Sequence, residues 1–482
     1  VSPLPASADP ALSDALRVAD NRPVLVRGGT VITGDASLGV LDPGDVLIQG
    51  TDIVKVAPRI DAPADALVID AAGLIVSPGL VDVHRHTWET ITRGIGGDWS
   101  LLDYFSWIIR AFGPEFTPDD VYAANLLASV EHVDAGITSL GDWSEQGTSP
   151  AHHDAAFRGL TDSGIRGRFQ YANVYSSPQI WAFEPRMREM WEQYGDLSNR
   201  VSMQLALDYS RAPGEFPEEP AYQLAKDLGI PVITHAALFG WDHENWIGKL
   251  ARNGFALPTT TYLHVVAASD EFLKVIADTG GSVGVGAYSN MNSGQGYPII
   301  GRLHRMGVNL GLTTDTDVRW RQDIFDSMRA ALSVDRMADH LEAHREGHLQ
   351  SYNQLRAEDA FTYGTSGGAT ALGLDTVTGT LTPGKRADLI IVKPEPSAMP
   401  VSLNPTAHLV YQGRRDLVDS VIVDGRVLKH AGTHLVNDLD AVHKRAADAR
   451  DGLIERIGVD KIRTAMTTSF LDHDAPMPAA FS

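Results

Sequence analysis

The 482-residue chain has no cysteine, which removes disulfides, thiolate zinc sites, iron–sulfur clusters and cysteine nucleophiles together and leaves the redox compartment unreadable. Basic residues are in short supply: 40 Lys and Arg stand against 61 Asp and Glu, a formal charge of −21. Neutralising phosphates or coating an anionic membrane needs basic patches, so neither a nucleic acid polymer nor a membrane is expected as a partner. No apolar run approaches the roughly 18 residues that cross a bilayer. The opening Val-Ser-Pro-Leu-Pro carries neither a basic nor an apolar leader region, which points to the cytoplasm, while the start at Val1 leaves a removed export peptide open. What remains, 43% hydrophobic and 21% charged residues, is the composition of a globular chain with a large core.

Residues 1–22 are rich in Ala, Asp, Pro and Ser without sustained periodicity, and read as a loose or partly helical arm. From Pro23 to residue 76, short β-branched runs are punctuated by Gly, Asp and Pro, and a second set follows over 386–435, so the two ends are expected to build one small β-sandwich. Between them, over 77–385, apolar runs alternate with helix-like segments, the sequence form of a (β/α)8 barrel in the α/β class. Eight runs fit: 74–84, 136–143, 167–175, 201–209, 230–236, 261–267, 281–288 and 308–315. Helices are expected over 321–344 and 441–458, the latter within a C-terminal helix and tail at 436–482.

Most runs are nearly continuous apolar stretches, as parallel strands buried on both faces should be, and each is broken by polar residues towards its C-terminal end, where barrel enzymes carry their chemistry. His84 and His86 are two apart, hence on one face of an extended strand. His235 ends the fifth run, His264 lies in the sixth and Asp315 ends the eighth. Four strands thus deliver imidazole or carboxylate to one mouth, a donor set suited to zinc, iron, cobalt or manganese.

The stretches SPGLVDVHRH (77–86), GITS (136–139), IPVITHA (230–236), the His264 strand, SN (289–290), GVNLGLTTD (307–315), TSGGATALGL (365–374) and GTLTPGKRADLIIV (379–392) resemble the amidohydrolase superfamily, in the branch containing cytosine deaminase and the chlorotriazine hydrolases. The resemblance spans residues 23 to about 432. It implies a barrel with a small β-sandwich from both ends, a small-molecule substrate and a homo-oligomer. Residue by residue it implies one divalent metal, zinc before iron, cobalt or manganese, held by His84, His86, His235 and Asp315. Asp315 would also move protons, and His264 would polarise substrate or water.

Two positions depart from the branch. Its deaminases place a proton-shuttling Glu three residues after the fifth-strand histidine, where this chain has Leu238, and a histidine common in the seventh run is replaced near Val285. A leucine supplies no proton to a ring nitrogen. Hydrolysis of an amide, urea, carbamate or cyclic amide of a partly apolar molecule is therefore expected. Deamination of an aminoheterocycle with a relocated acid and a non-catalytic barrel subunit are the alternatives. Asp98, Glu89, His243 and Glu244 are candidates for such an acid. Trp88, Trp99, Leu238 and Val285 are candidate substrate contacts, while at helical spacing the aromatics at 88 and 98–108 fit helix packing equally well. Asp208 is another, or part of a second metal site, or a helix N-cap.

Overall fold

A computed structural model describes residues 9–18, 22–208, 215–238, 246–395 and 403–469. Eight parallel strands, paired in chain order, form its centre: Leu80–Arg85, Ile137–Ser144, Arg166–Tyr171, Val201–Ala206, Val232–Ala236, Thr260–His264, Ser282–Val285 and Asn309–Leu312. Each coincides with one of the eight runs read from the sequence, four of them (80–85, 137–144, 166–171 and 260–264) extending one residue beyond it. Closure occurs at the C-terminal rim, where Asp315 N donates to His84 O (3.2 Å) and His86 N donates to Asp315 O (2.9 Å). The metal-ligand candidates of the first and eighth strands are therefore tied by backbone as well as by side chains.

The run 74–84, read as one strand, is two. Ile75–Pro78 belongs to a second sheet and Leu80–Arg85 to the barrel. Gly79 makes the transfer because the backbone passes so close to the second strand that a Cβ would lie 2.0 Å from Thr138 Oγ1.

The second sheet has nine strands, five from residues 24–78 and four from 389–434. Its halves join where Ile75–Pro78 runs antiparallel to Leu389–Val392. It encloses a core of its own, including Val26, Val46, Ile69, Val76, Leu389 and Ile422. The helix Pro10–Arg17, capped by the Asp9 side chain on Ala11 N (3.0 Å), adds Leu16 to that core.

Ionic contacts join the sheet to the barrel. Arg166, 1% exposed on the third barrel strand, donates to both oxygens of buried Asp388 (2.6 and 3.1 Å) and to Asp424 (2.8 Å). Removing one partner of such a buried pair costs about 3–5 kcal/mol. At the end of helix Pro118–Asp134, the Asp134 carboxylate faces Lys429 Nζ (2.7 Å), Arg415 Nη2 (3.2 Å) and His434 Nε2 (3.3 Å). The expected long helices form as Ile324–Arg345 and Leu439–Ile457, started by the side chains of Asp323 and Asp438. A last helix, Val459–Thr467, follows directly.

Candidate active site

The barrel rim gathers His84, His86, His235, His264 and Asp315. His84 Nε2 and His86 Nε2 lie 3.7 and 3.6 Å from Asp315 Oδ1. The His84 ring centroid is 4.7 Å from that of His86 and 5.0 Å from that of His235, and the His235 and His264 rings stack at 5.4 Å. Possible ligand atoms of His84, His86 and Asp315 lie within 4.8 Å of one another, as do those of His84, His235 and His264. The backbone bends sharply to achieve this. Of the six non-glycine residues with positive φ among those described, four are here: Ala237 (47°), His264 (68°), Val265 (48°) and Asp315 (60°). Left-handed backbone costs a non-glycine residue on the order of 1–3 kcal/mol, most for a β-branched side chain, and persists where surrounding structure enforces it.

Three of the imidazoles are oriented by a partner. His86 Nδ1 donates to Glu145 Oε1 (2.6 Å), and Trp143 Nε1 donates to Glu145 Oε2 (3.0 Å). Asp208 Oδ1 accepts from both the backbone N and the ring Nδ1 of His235 (3.0 Å each). Asn290 Nδ2 donates to His264 Nδ1 (2.9 Å), which leaves the ring proton on Nε2. His84 differs: it is wholly buried and neither ring nitrogen has a hydrogen-bond partner. Two buried nitrogens without a proton partner, beside a carboxylate and two further imidazoles, form the donor set of a transition-metal site.

Electrostatics agree with that fit. Burial pushes His84 down to about 4 and His264 down to about 3, so both rings are neutral near pH 7 and His84 presents a free lone pair. Burial also opposes charge on His86, but the charge and hydrogen bond of Glu145, with Glu89 and Asp315, hold it up at about 9, so this ring would have to give up its Nε2 proton to ligate a metal. Burial would raise Asp315; the close approach of His84 and the neighbouring imidazoles of His264 and His86 outweigh it and hold the carboxyl well below its usual range.

A cavity of about 700 Å³ opens onto this cluster, lined by His86, Trp143, Glu145, Asp208, His235, Leu238, His264 and Asp315. Its other walls include Leu101, Tyr104, Phe105, Ile109, Tyr175, Trp181 and Glu218. Leu238, 6% exposed, lines this cavity. Asp208 also lines it, and among the described residues its carboxylate bonds His235.

Three proposed contacts are displaced. Trp88 packs edge-to-face on Phe116 (centroids 5.0 Å), Trp99 donates to Ala465 O (2.7 Å), and Val285 is buried in the seventh strand; none lines the cavity. Asp98 points to solvent. Glu89, pushed up to about 7 by burial, is bonded by the hydroxyls of Tyr104 and Thr316. His243 and Glu244 fall outside the described residues. Sequence reasoning missed Glu145 and the role of Asn290, although both follow barrel strands at the end where polar residues were already the signal.

A parallel barrel with imidazoles and a carboxylate at its C-terminal rim defines a metal-dependent barrel enzyme. Comparison with known proteins narrows the class. The chain belongs to the amidohydrolase family, whose profile matches residues 75–428. It is accordingly a hydrolase acting on carbon–nitrogen bonds. It is 29% identical over 423 residues to a 5-methylthioadenosine/S-adenosylhomocysteine deaminase of Symbiobacterium thermophilum, covering 84% of this chain and 93% of that protein. Among solved structures it is similar to an adenosine deaminase from Xanthomonas campestris with bound zinc (TM-score 0.76, 20% identity, 90% of this chain and 98% of that one). It is also similar to an atrazine chlorohydrolase from Arthrobacter aurescens complexed with zinc (TM-score 0.74, 21% identity, 89% and 100%).

Proposed function

We propose that the protein hydrolyses an amide, urea, carbamate or cyclic amide bond in a small, partly apolar molecule. The observation that carries this reading is Leu238, an apolar side chain in the cavity wall three residues beyond His235. In this reading one divalent ion is held by His84, His86, His235 and Asp315, zinc before iron, cobalt or manganese. When bound, such an ion supplies Lewis acidity, making water a competent nucleophile near neutral pH and polarising the carbon under attack.

The chain's own groups do the rest. Asp315 accepts a proton from the attacking water at its carboxylate and returns it to the departing nitrogen, so water adds across the bond as hydroxyl on carbon and hydrogen on nitrogen. Because that nitrogen takes its proton directly from Asp315, no further acid is needed at position 238. His264, with its proton on Nε2, donates to the oxygen on which charge builds. Leu101, Phe105, Ile109 and Leu238 receive the apolar part of the substrate and exclude water around it.

A second reading, deamination of an aminoheterocycle, is favoured by the names of the relatives and by Glu218, a buried carboxyl residue in the cavity wall. The two separate in a mass-spectrometric screen of zinc-loaded protein against aminoheterocycles (including 5′-deoxyadenosine), amides, ureas and carbamates, with His84→Ala as control. Cleavage to an amine and an acid, or ring opening by water, supports the proposal. Exchange of an amino group for a carbonyl with release of ammonia overturns it in favour of deamination.

A further inference from the structure

One wall of the cavity is not part of the barrel. After the first strand the chain forms a short helix, Leu101–Tyr104, and then a π-helical stretch, Phe105–Phe112. Leu101, Tyr104, Phe105, Ile109 and Arg110 all face the cavity. π-Helical turns are rare and concentrate at functional sites, because the wider ring re-aims side chains and loosens the backbone ladder. Such a wall needs support from outside.

On the barrel side, Leu101 N donates to Ser293 O (2.9 Å), and the Tyr175 hydroxyl donates to Ile109 O (2.7 Å). On the opposite side, residues near the C-terminus supply several supports. Trp99 Nε1 donates to Ala465 O (2.7 Å), a buried bond between residues 366 positions apart. Ser469 Oγ donates to Asp103 Oδ1 (2.9 Å), while Asp103 Oδ2 closes the capping box with Ser100 that starts the short helix. Lys461 Nζ donates to Ala111 O (3.3 Å) and lies over the Phe112 ring (5.9 Å). Arg456 Nε donates to Glu115 O (2.9 Å).

We propose that the helix Val459–Thr467 together with Ser469 is a brace that positions the substrate-facing wall, with Trp99 and Ser469 as its positioning residues. The proposal rests on the reading above that this cavity holds the substrate. Neither residue lines the cavity, so the brace acts on substrate affinity through the orientation of Leu101, Phe105 and Ile109 and leaves the rim chemistry alone.

The test is the full-length double variant Trp99→Phe/Ser469→Ala, which removes two donors and retains the apolar ring, compared with wild type and with Ser469→Thr. In hydrogen exchange read by mass spectrometry, amides of 101–112 should exchange about tenfold faster while the barrel strands are unchanged. With the substrate found in the screen, KM should rise at least fivefold, kcat should stay within twofold, and Ser469→Thr should behave as wild type. Unchanged exchange at 101–112, exchange accelerated throughout the barrel, an unmoved KM, or a loss confined to kcat overturns the brace. If wild type turns over nothing in the screen, the proposed reaction fails, and the exchange comparison alone still decides whether the C-terminus holds this wall.

Discussion

Replacing Glu145 with glutamine conserves volume and removes a single charge, yet neither orientation of the new amide suits its two partners. With Oε1 towards His86 Nδ1, the amide N–H groups meet Trp143 Nε1, which now donates to Glu145 Oε2 at 3.0 Å, so two donors face each other. With the amide reversed, its N–H groups meet His86 Nδ1, whose donor bond of 2.6 Å is lost, and the ring proton must move to Nε2, the atom facing Asp315. Either way a hydrogen bond to a charged acceptor, worth about 1.5–3 kcal/mol, is gone. Loss of a carboxylate behind a ligating imidazole typically weakens metal binding by about 10–100-fold. Titration of apoprotein with zinc against a chromogenic competitor should show that loss for Glu145→Gln, with His86→Ala setting the floor and Trp143→Phe in the glutamine background restoring part of the affinity. Zinc affinity within twofold of wild type in Glu145→Gln would refute the claim that Glu145 fixes the tautomer of His86.

Leu238→Glu buries a carboxyl in a wall now occupied by an apolar side chain; kcat/KM for an amide-type substrate should fall at least tenfold, by steady-state kinetics. A gain in ammonia release from an aminoheterocycle would instead favour the deamination reading. Asp134→Asn tests the tie between barrel and sheet. Burial would raise this carboxyl, but His434, Lys429 and Arg415 hold it well below its ordinary value of 3.8. Its contribution is thus complete above pH 3.8 and shrinks as pH falls towards the native-state value. Asp134→Asn should lower stability by about 1–3 kcal/mol at pH 7. Urea melts down to pH 3 should show the gap to wild type narrowing only below about pH 4.

The barrel was legible because parallel strands buried on both faces write themselves as unbroken apolar runs, and the five rim residues because they interrupt those runs at one end. Glu145 was not, since within Trp-Ser-Glu-Gln-Gly it reads as one more loop polar; only the fold shows that it faces His86. The aromatic residues after the first strand stayed undecided between cavity wall and helix packing for a related reason. Trp88 and Trp99 stand beside the histidine motif in sequence, but periodicity does not say which side of a short helix meets the cavity. The partner of Trp99 lies near the other end of the chain. Residues 74–84 hid a change of sheet because both halves are equally apolar, and the turn between them is a single glycine.

The small sheet has a consequence for how the chain is made. Ile75–Pro78 must find Leu389–Val392, and a ribosome adding about 5–20 residues per second needs roughly 15–60 s to deliver the second strand after the first has emerged. Throughout that interval the N-terminal strands present an open, apolar edge while the barrel is being completed, and such an edge invites pairing with another chain. The nascent protein is thus most exposed to misassembly at its N-terminal end, and slow translation of the barrel segment lengthens the hazard.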